Sequence, residues 1–415
     1  MKVIKGMGFW LGSLAAAILI GTLAILAVYS LPVGRMKKHV AKSSSIFDVE
    51  EAHPELITGF AFTRLDNFTD SIMLGIAMYD QEGSLAEKAM SNYRMYSDEL
   101  SVVKSTSHYA NNVKEEYYAK PYPRYWHGYL LYLKPLLLFF TYGEIRILNG
   151  LLQTALLAGV IKLFLDSQLK NYLFAYIVAI LFINPMVTAL SLQYSSLYYV
   201  ILLLTIAWLV LLKKGLLNFR RIGMLAFVTG CVTSYFDFLT YPIVGLGFLL
   251  ILCLDTYGAE LEKIWDYLKY TALWGYGYAG MWAGKWLAGS VLLQKNMFAD
   301  GFAQVAKRAA GEGGRLAGIG KNLDVYGDEI FVGLAILVLG YGIYGLIKMR
   351  VKSGILFNVQ TGVYLAAALL PFGWMFLASE HSERHFWFVH RGFSVTLFAL
   401  LSLYAWIKKQ KRSFL

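Results

Sequence analysis

Apolar residues fill one long stretch after another along this chain, and the polar segments between most of them are only a few residues long. A helix rises 1.5 Å per residue, so roughly 17 to 25 apolar residues cross a bilayer. Runs near that scale stand at 7–29, 145–165, 172–189, 197–212, 222–235, 239–254, 270–293, 330–347, 356–378 and 386–406. The pattern predicts an all-α fold, a single polytopic helical membrane domain over 1–415 with about ten transmembrane helices. The first run is longer than a signal-peptide core and has no small-residue cleavage site before Pro32, so it is read as a retained span.

Two polar stretches break the rhythm. The first, within 32–142, carries tyrosines, acids and four histidines and is too apolar for disorder, so it predicts a folded helical loop with juxtamembrane helices. Its last part, 123–142, is interrupted by Lys134 and Pro135 and fringed by Tyr and Trp, as expected of an interfacial helix. The second is 294–326.

Charge orients the pattern. Basic residues at Lys2 and Lys5, at Lys213, Lys214, Arg220 and Arg221, at Lys348, Arg350 and Lys352, and in the tail at Lys408, Lys409, Lys411 and Arg412 fall on one side if the spans alternate. The positive-inside rule makes that side cytoplasmic, with both termini inside and 32–142 outside a cell membrane. The loop 294–326 departs from the rule with Lys295, Lys307, Arg308, Arg315 and Lys321, a basic surface suited to anionic lipid or substrate. Composition agrees: 57% of residues are hydrophobic and 16% charged, and the formal charge of +11 reports topology, not a nucleic-acid partner. Cys231 and Cys253 both lie in apolar runs and cannot build a disulfide framework for the loops.

Under this topology Asp66, Asp70, Tyr125, His127, Gln193, Tyr194, Asp237, Lys285, Glu380, His381, His385 and Arg391 collect on the outer side. Asp66 and Asp70 are four residues apart, so on a helix both carboxylates share a face; the competing reading makes Asp66 an N-cap and Asp70 a solvated first-turn acid. Asp237 and Lys285 are costly at membrane depth unless they function, although Asp237 can also cap the next helix and Lys285 can snorkel between Trp282 and Trp286. His381 and His385 have the spacing of a metal pair, but no HExxH frame or cysteine cluster accompanies them, so no metal or other cofactor is expected. Arg391 also suits an interfacial anchor. The N-x-T sequon at Asn67 is too short a match to carry weight.

Four segments, FTDSIMLGIAMYD, PRYWHGYLLYLKPLLLFFTYGEIRILN, YFDFLTYPI and EHSERHFWFVHR, resemble bacterial integral-membrane glycosyltransferases of the GT-C superfamily, including relatives among surface-polysaccharide proteins. The second is similar to that superfamily's juxtamembrane helix and arginine-bearing span, here Arg146 with Asn149. The resemblance implies inverting transfer of a sugar from a polyprenyl-phosphate donor to a glycan or lipid acceptor at the outer face. It also implies that an acid of the first outer loop is the general base. The superfamily's acids follow its first span closely, whereas about 35 residues intervene here, and the choice between Asp66 and Asp70 stays open, with Asp70 the better positional match.

That chemistry needs a carboxylate to take the acceptor's proton and cations to neutralise the departing phosphate. Lys285, Arg391 and the basic 294–326 loop offer the cations, and Tyr125, His127, His381 and His385 offer hydrogen bonds to sugar or phosphate. Rival readings are a lipid-linked saccharide transporter and a non-catalytic assembly protein for surface polymers. Neither the internal repeat nor the paired Gly/Pro-broken spans usual in transporters is present.

Overall fold

In the computed structural model the described residues are 2–80, 82–258, 264–310, 313–327 and 358–412. The expected span at 330–347 and the basic positions Lys348, Arg350 and Lys352 lie outside them. Among the described residues the chain is mostly helical, with one short hairpin.

Helix α1 (Lys2–Tyr29) leads into the first long loop, built from α2 (Val33–Lys42), α3 (Ser45–Glu50), α4 (Asn67–Met78), α5 (Leu85–Ser91), α6 (Val102–Ala110) and α7 (Leu130–Leu137). Strands β1 (Arg94–Tyr96) and β2 (Tyr118–Lys120) pair antiparallel within it. Helix α4 is the axis of this region. It is apolar nearly all round because it is buried nearly all round, and Ile72, Leu74, Ile76 and Met78 pack with Met36, Val40, Met95 and Leu133. The interfacial helix expected at 123–142 is shorter than its apolar run: residues 123–129 are irregular, and only α7 is helical.

The bundle follows as α8 (Tyr142–Leu165), α9 (Leu173–Ile183), α10 (Pro185–Leu190), α11 (Leu192–Lys213), α12 (Phe219–Phe236), α13 (Ile243–Tyr257) and α14 (Ile264–Leu293). After α15 (Met297–Ala310) and α16 (Ala317–Leu323) come α17 (Val359–Ala368), α18 (Leu370–Leu377), α19 (Ser379–Arg384), α20 (Phe386–Val389) and α21 (Ser394–Arg412). A capping box between Thr141 and Glu144 starts α8. Helices α12 and α14 pack so closely that a Cβ at Gly230 would strike the Trp274 carbonyl and one at Gly277 the Phe227 carbonyl.

Four helices among the described residues are long and apolar enough to cross a membrane: Gly6–Tyr29, Tyr142–Leu165, Leu192–Lys213 and Phe386–Gln410. A fifth span results if α17 and α18, bent by 40°, count as one. Several expected spans take a different form. The run at 172–189 divides into α9 and α10 at Asn184, whose φ of 67° leaves the helical region just before Pro185. The run at 239–254 yields a helix only from Ile243, 15 residues long, because 237–242 form a turn in which Leu239 has φ 67°. The run at 356–378 bends where α17 meets α18, next to Pro371, so two apolar runs are interrupted at a proline, contrary to the expectation that no such pair is present.

Candidate functional site

The first turn of α4, the N-terminus of α11 and the segment from α19 to α21 meet at one place, and Asp66 stands at its centre. Asp66 is fully buried and caps α4: one oxygen accepts the Thr69 N–H at 3.0 Å and the other the Thr69 hydroxyl at 2.9 Å. The capping reading is therefore correct for its geometry, but the carboxylate also faces two long-range groups. The Trp387 indole N–H donates to it at 3.4 Å, and His53 Nδ1 lies 3.7 Å away. The His53 ring packs on Trp387 with centroids 5.0 Å apart. Burial raises the Asp66 pKa above the ordinary carboxylate value and lowers that of His53, while the proximity of the two opposes both shifts.

This neighbourhood holds buried polar atoms that have no hydrogen-bond partner: His53 Nδ1, Gln193 Oε1, Tyr194 OH, His385 Nδ1 and Arg391 Nη2. The Arg391 guanidinium is fully buried, lies 4.3 Å from the Tyr194 ring centroid, and is held by the Ile183 and Trp387 carbonyls. Buried polar groups in folded proteins are nearly always paired, so these atoms are open to polar groups from elsewhere, although unpaired atoms also occur away from this carboxylate, as at Tyr176, Tyr198 and Trp274.

Asp70 is placed differently. It is fully buried, not solvated, and its carboxylate is engaged by three donors: the Tyr142 hydroxyl at 2.7 Å and the backbone N–H groups of Leu192 at 2.8 Å and Gln193 at 3.1 Å. The last two are orphan donors at the start of α11, whose own N-cap residue Ser191 makes no side-chain cap bond. Asp70 thus caps a 22-residue helix from 122 residues away, with its charge at the positive end of the helix dipole. Burial still pushes its pKa up, to about 7, with those hydrogen bonds opposing the rise.

The remaining expected residues separate into groups. Arg146 ties α8 to the loop through Glu50 at 2.8 and 2.9 Å and Asn67 Oδ1 at 2.7 Å. Asn67 is fully buried in that network, which withdraws the sequon from the surface. Tyr125 and His127 sit in an aromatic nest with Tyr122, Tyr129 and Phe238; the Tyr129 hydroxyl and Tyr122 carbonyl occupy both His127 nitrogens. Lys285 neither snorkels nor approaches Asp66. It is buried, donating to Asn92 Oδ1 at 2.8 Å and the Ala89 carbonyl at 3.3 Å, and so closes the C-terminal end of α5. Asp237 accepts from the Thr240 backbone and hydroxyl and closes the turn before α13. His381 Nε2 pairs with the Leu239 carbonyl at 2.6 Å, and the His381 and His385 rings lie 4.7 Å apart. Among the described residues no three His, Cys, Asp or Glu side chains are grouped to hold a metal.

A cavity of about 440 Å³ adjoins α19. Its walls are Tyr278, Trp282 and Trp286 of α14, Phe298 and Phe302 of α15 and Trp374 of α18, and Arg308 and His381 also line it. Phe302, Val305 and Arg308 of α15 share the face that lines this cavity; Phe302 and Val305 are exposed, and Arg308 reaches 5.4 Å from the Tyr125 ring centroid. The phenols of Tyr125, Tyr122 and Tyr278 face that guanidinium, with His381 and His385 also nearby. The basic loop 294–326 had pointed to Arg308 as a cation. His53 and Trp387 were not legible, since neither belongs to a local motif with Asp66. Comparison of the chain with protein-family models, curated proteins and solved structures gave no match.

Proposed function

We propose that this protein is an integral-membrane glycosyltransferase of GT-C type that transfers a sugar, with inversion, from a polyprenyl-phosphate donor to a glycan or lipid acceptor at the outer face of the cell membrane. The observation that carries the reading is an arrangement around α19. A buried carboxylate ringed by unpaired polar groups and an aromatic, apolar groove with an arginine both adjoin this short helix, through His385 and His381 respectively. An amphiphile with a hydrocarbon tail, an anionic link and a polar sugar has the same order of chemistries. In this reading the groove takes the tail, Arg308 and Arg391 neutralise the phosphate as it departs, and the orphan groups hold sugar hydroxyls.

Both carboxylates accept three hydrogen bonds, but Asp66 alone has a histidine beside it, His53 at 3.7 Å, able to relay a proton, so Asp66 assisted by His53 is the proposed base. Asp70, Asp237, Arg146, Lys285, Tyr125 and His127 then shape the site without touching substrate. The ten-span topology, with both termini inside and the first loop outside, belongs to the same proposal and is supported by the charge pattern of the loops.

The test uses purified protein in detergent, a radiolabelled polyprenyl-phosphate sugar and a membrane lipid extract as acceptor. Transfer of label with inverted anomeric configuration is expected. Intact donor that instead crosses the bilayer in proteoliposomes would replace this reading with that of a transporter.

A further inference from the structure

A second groove, of about 460 Å³, runs between α8, α11 and α12. Along α11 it extends from Ser196 to Ala207, about 16 Å at 1.5 Å per residue, or roughly half the hydrocarbon thickness of a bilayer. Helices α8 and α11 are both long and apolar enough to span a membrane, and the lining residues Leu152, Leu203 and Val228 are exposed. In a membrane its open side therefore faces lipid chains.

Its two ends differ. The lower part is aliphatic, whereas the end near the α11 N-terminus presents a neutral hydrogen-bonding array. There the Tyr132 hydroxyl meets Ser196 Oγ at 3.1 Å, and the Tyr199 hydroxyl donates to Asn149 Oδ1 at 3.0 Å. Among the described residues no charged side chain lines this groove, in contrast to the one that contains Arg308. An anionic head would have no cation to offset its desolvation there, while hydroxyl groups find both donors and acceptors. Ser196 is three residues, about 4.5 Å along the helix, from Gln193, whose side-chain oxygen is one of the orphan atoms of the Asp66 neighbourhood.

We propose that this groove holds the hydrocarbon chain of a lipid with an uncharged, hydroxylated head, and that this lipid is the acceptor. The acceptor role rests on the glycosyltransferase reading, but occupancy of the groove does not, so the two are measured separately. The full-length protein in nanodiscs is exposed to a photoactivatable, clickable diacylglycerol and, in parallel, to the matching phosphatidic acid.

The diacylglycerol probe is expected to label peptides of α8, α11 and α12 at least fivefold more than the phosphatidic acid does. Val228→Trp and Ala207→Phe, which fill the groove from opposite walls, are each expected to cut that labelling fivefold or more at an unchanged thermal midpoint. Equal labelling by the two probes, labelling that survives both substitutions, or none above the unirradiated control would each overturn the proposal. If labelling behaves as expected but no sugar transfer occurs, the lipid site stands and the transferase reading falls.

Discussion

Replacing Asp70 separates a helix cap from a catalytic base. In Asp70→Ala the Tyr142 hydroxyl and the N–H groups of Leu192 and Gln193 lose their shared acceptor in a fully buried setting. A hydrogen bond to a charged group contributes about 1.5–3 kcal/mol, and a buried donor left unpaired costs about 1–3 kcal/mol. Allowing for relaxation and for Asp70's own desolvation, the loss is roughly 3–6 kcal/mol. Asn at this position keeps one acceptor oxygen but turns an NH₂ toward a donor, so Asp70→Asn should cost about 2–3 kcal/mol. Midpoints fall by about 2–4 °C per kcal/mol in domains of 150–250 residues and by less in longer chains, so Asp70→Ala should melt about 5–10 °C lower. Cys231 and Cys253 are both buried, so a thiol-reactive dye that fluoresces on their exposure reports unfolding in detergent without added probes. An Asp70→Ala midpoint equal to wild type would refute the cap. An Asp70→Asn protein with the wild-type midpoint and no sugar transfer would restore Asp70 as the base.

Three further outcomes follow from the same geometry. Lys285→Met should lower the thermal midpoint by several degrees while donor affinity in the folded fraction holds, since Lys285 bonds Asn92 and Ala89; a selective loss of donor binding would place it on the phosphate instead. If deprotonated Asp66 is the base, its active fraction falls as pH falls through its pKa, so the acid limb of the transfer rate should lie above the ordinary aspartate value of 3.8. His53→Gln, which removes an interaction that lowers that pKa, should move the limb to higher pH; an unmoved limb would exclude the pairing. Val49 is 83% exposed in the loop that the proposed topology places outside, so Val49→Cys should react with an impermeant maleimide in intact cells, and labelling only after permeabilisation would invert the topology.

Much of this was legible in the sequence where the controlling interactions are local. Asp66 ahead of an apolar run is an N-cap signal, and α4 begins right after it. Local punctuation outweighed run length in the apolar stretches: Asn184–Pro185 splits one and the Asp237–Thr240 turn shortens another. The site itself depends on long-range contacts. Asp70 meets α11 across 122 residues, and Trp387 reaches Asp66 across 321, separations at which no spacing rule operates. His53 and Asp66 are 13 residues apart with a turn and a short 3₁₀ segment between them, so no helical or strand period relates them. Lys285 was misleading because a lysine in an apolar run suggests a ligand, whereas here it binds the C-terminal end of α5, which packs on α14.

The central claim is that Asp66 takes the acceptor's proton. Its most direct test is the single-turnover rate of sugar transfer from a polyprenyl-phosphate donor by purified Asp66→Asn, measured beside donor binding and thermal midpoint. Loss of a general base typically costs about 100-fold to 10,000-fold, so transfer should fall by that factor while the donor still binds. The Asn side chain can still accept the Thr69 N–H but turns its NH₂ toward the Thr69 hydroxyl and the Trp387 N–H, so a stability loss of about 1–3 kcal/mol is expected, and the thermal midpoint reads it separately from transfer. Transfer within a few-fold of wild type would contradict the claim and leave Asp66 as the cap of α4 alone.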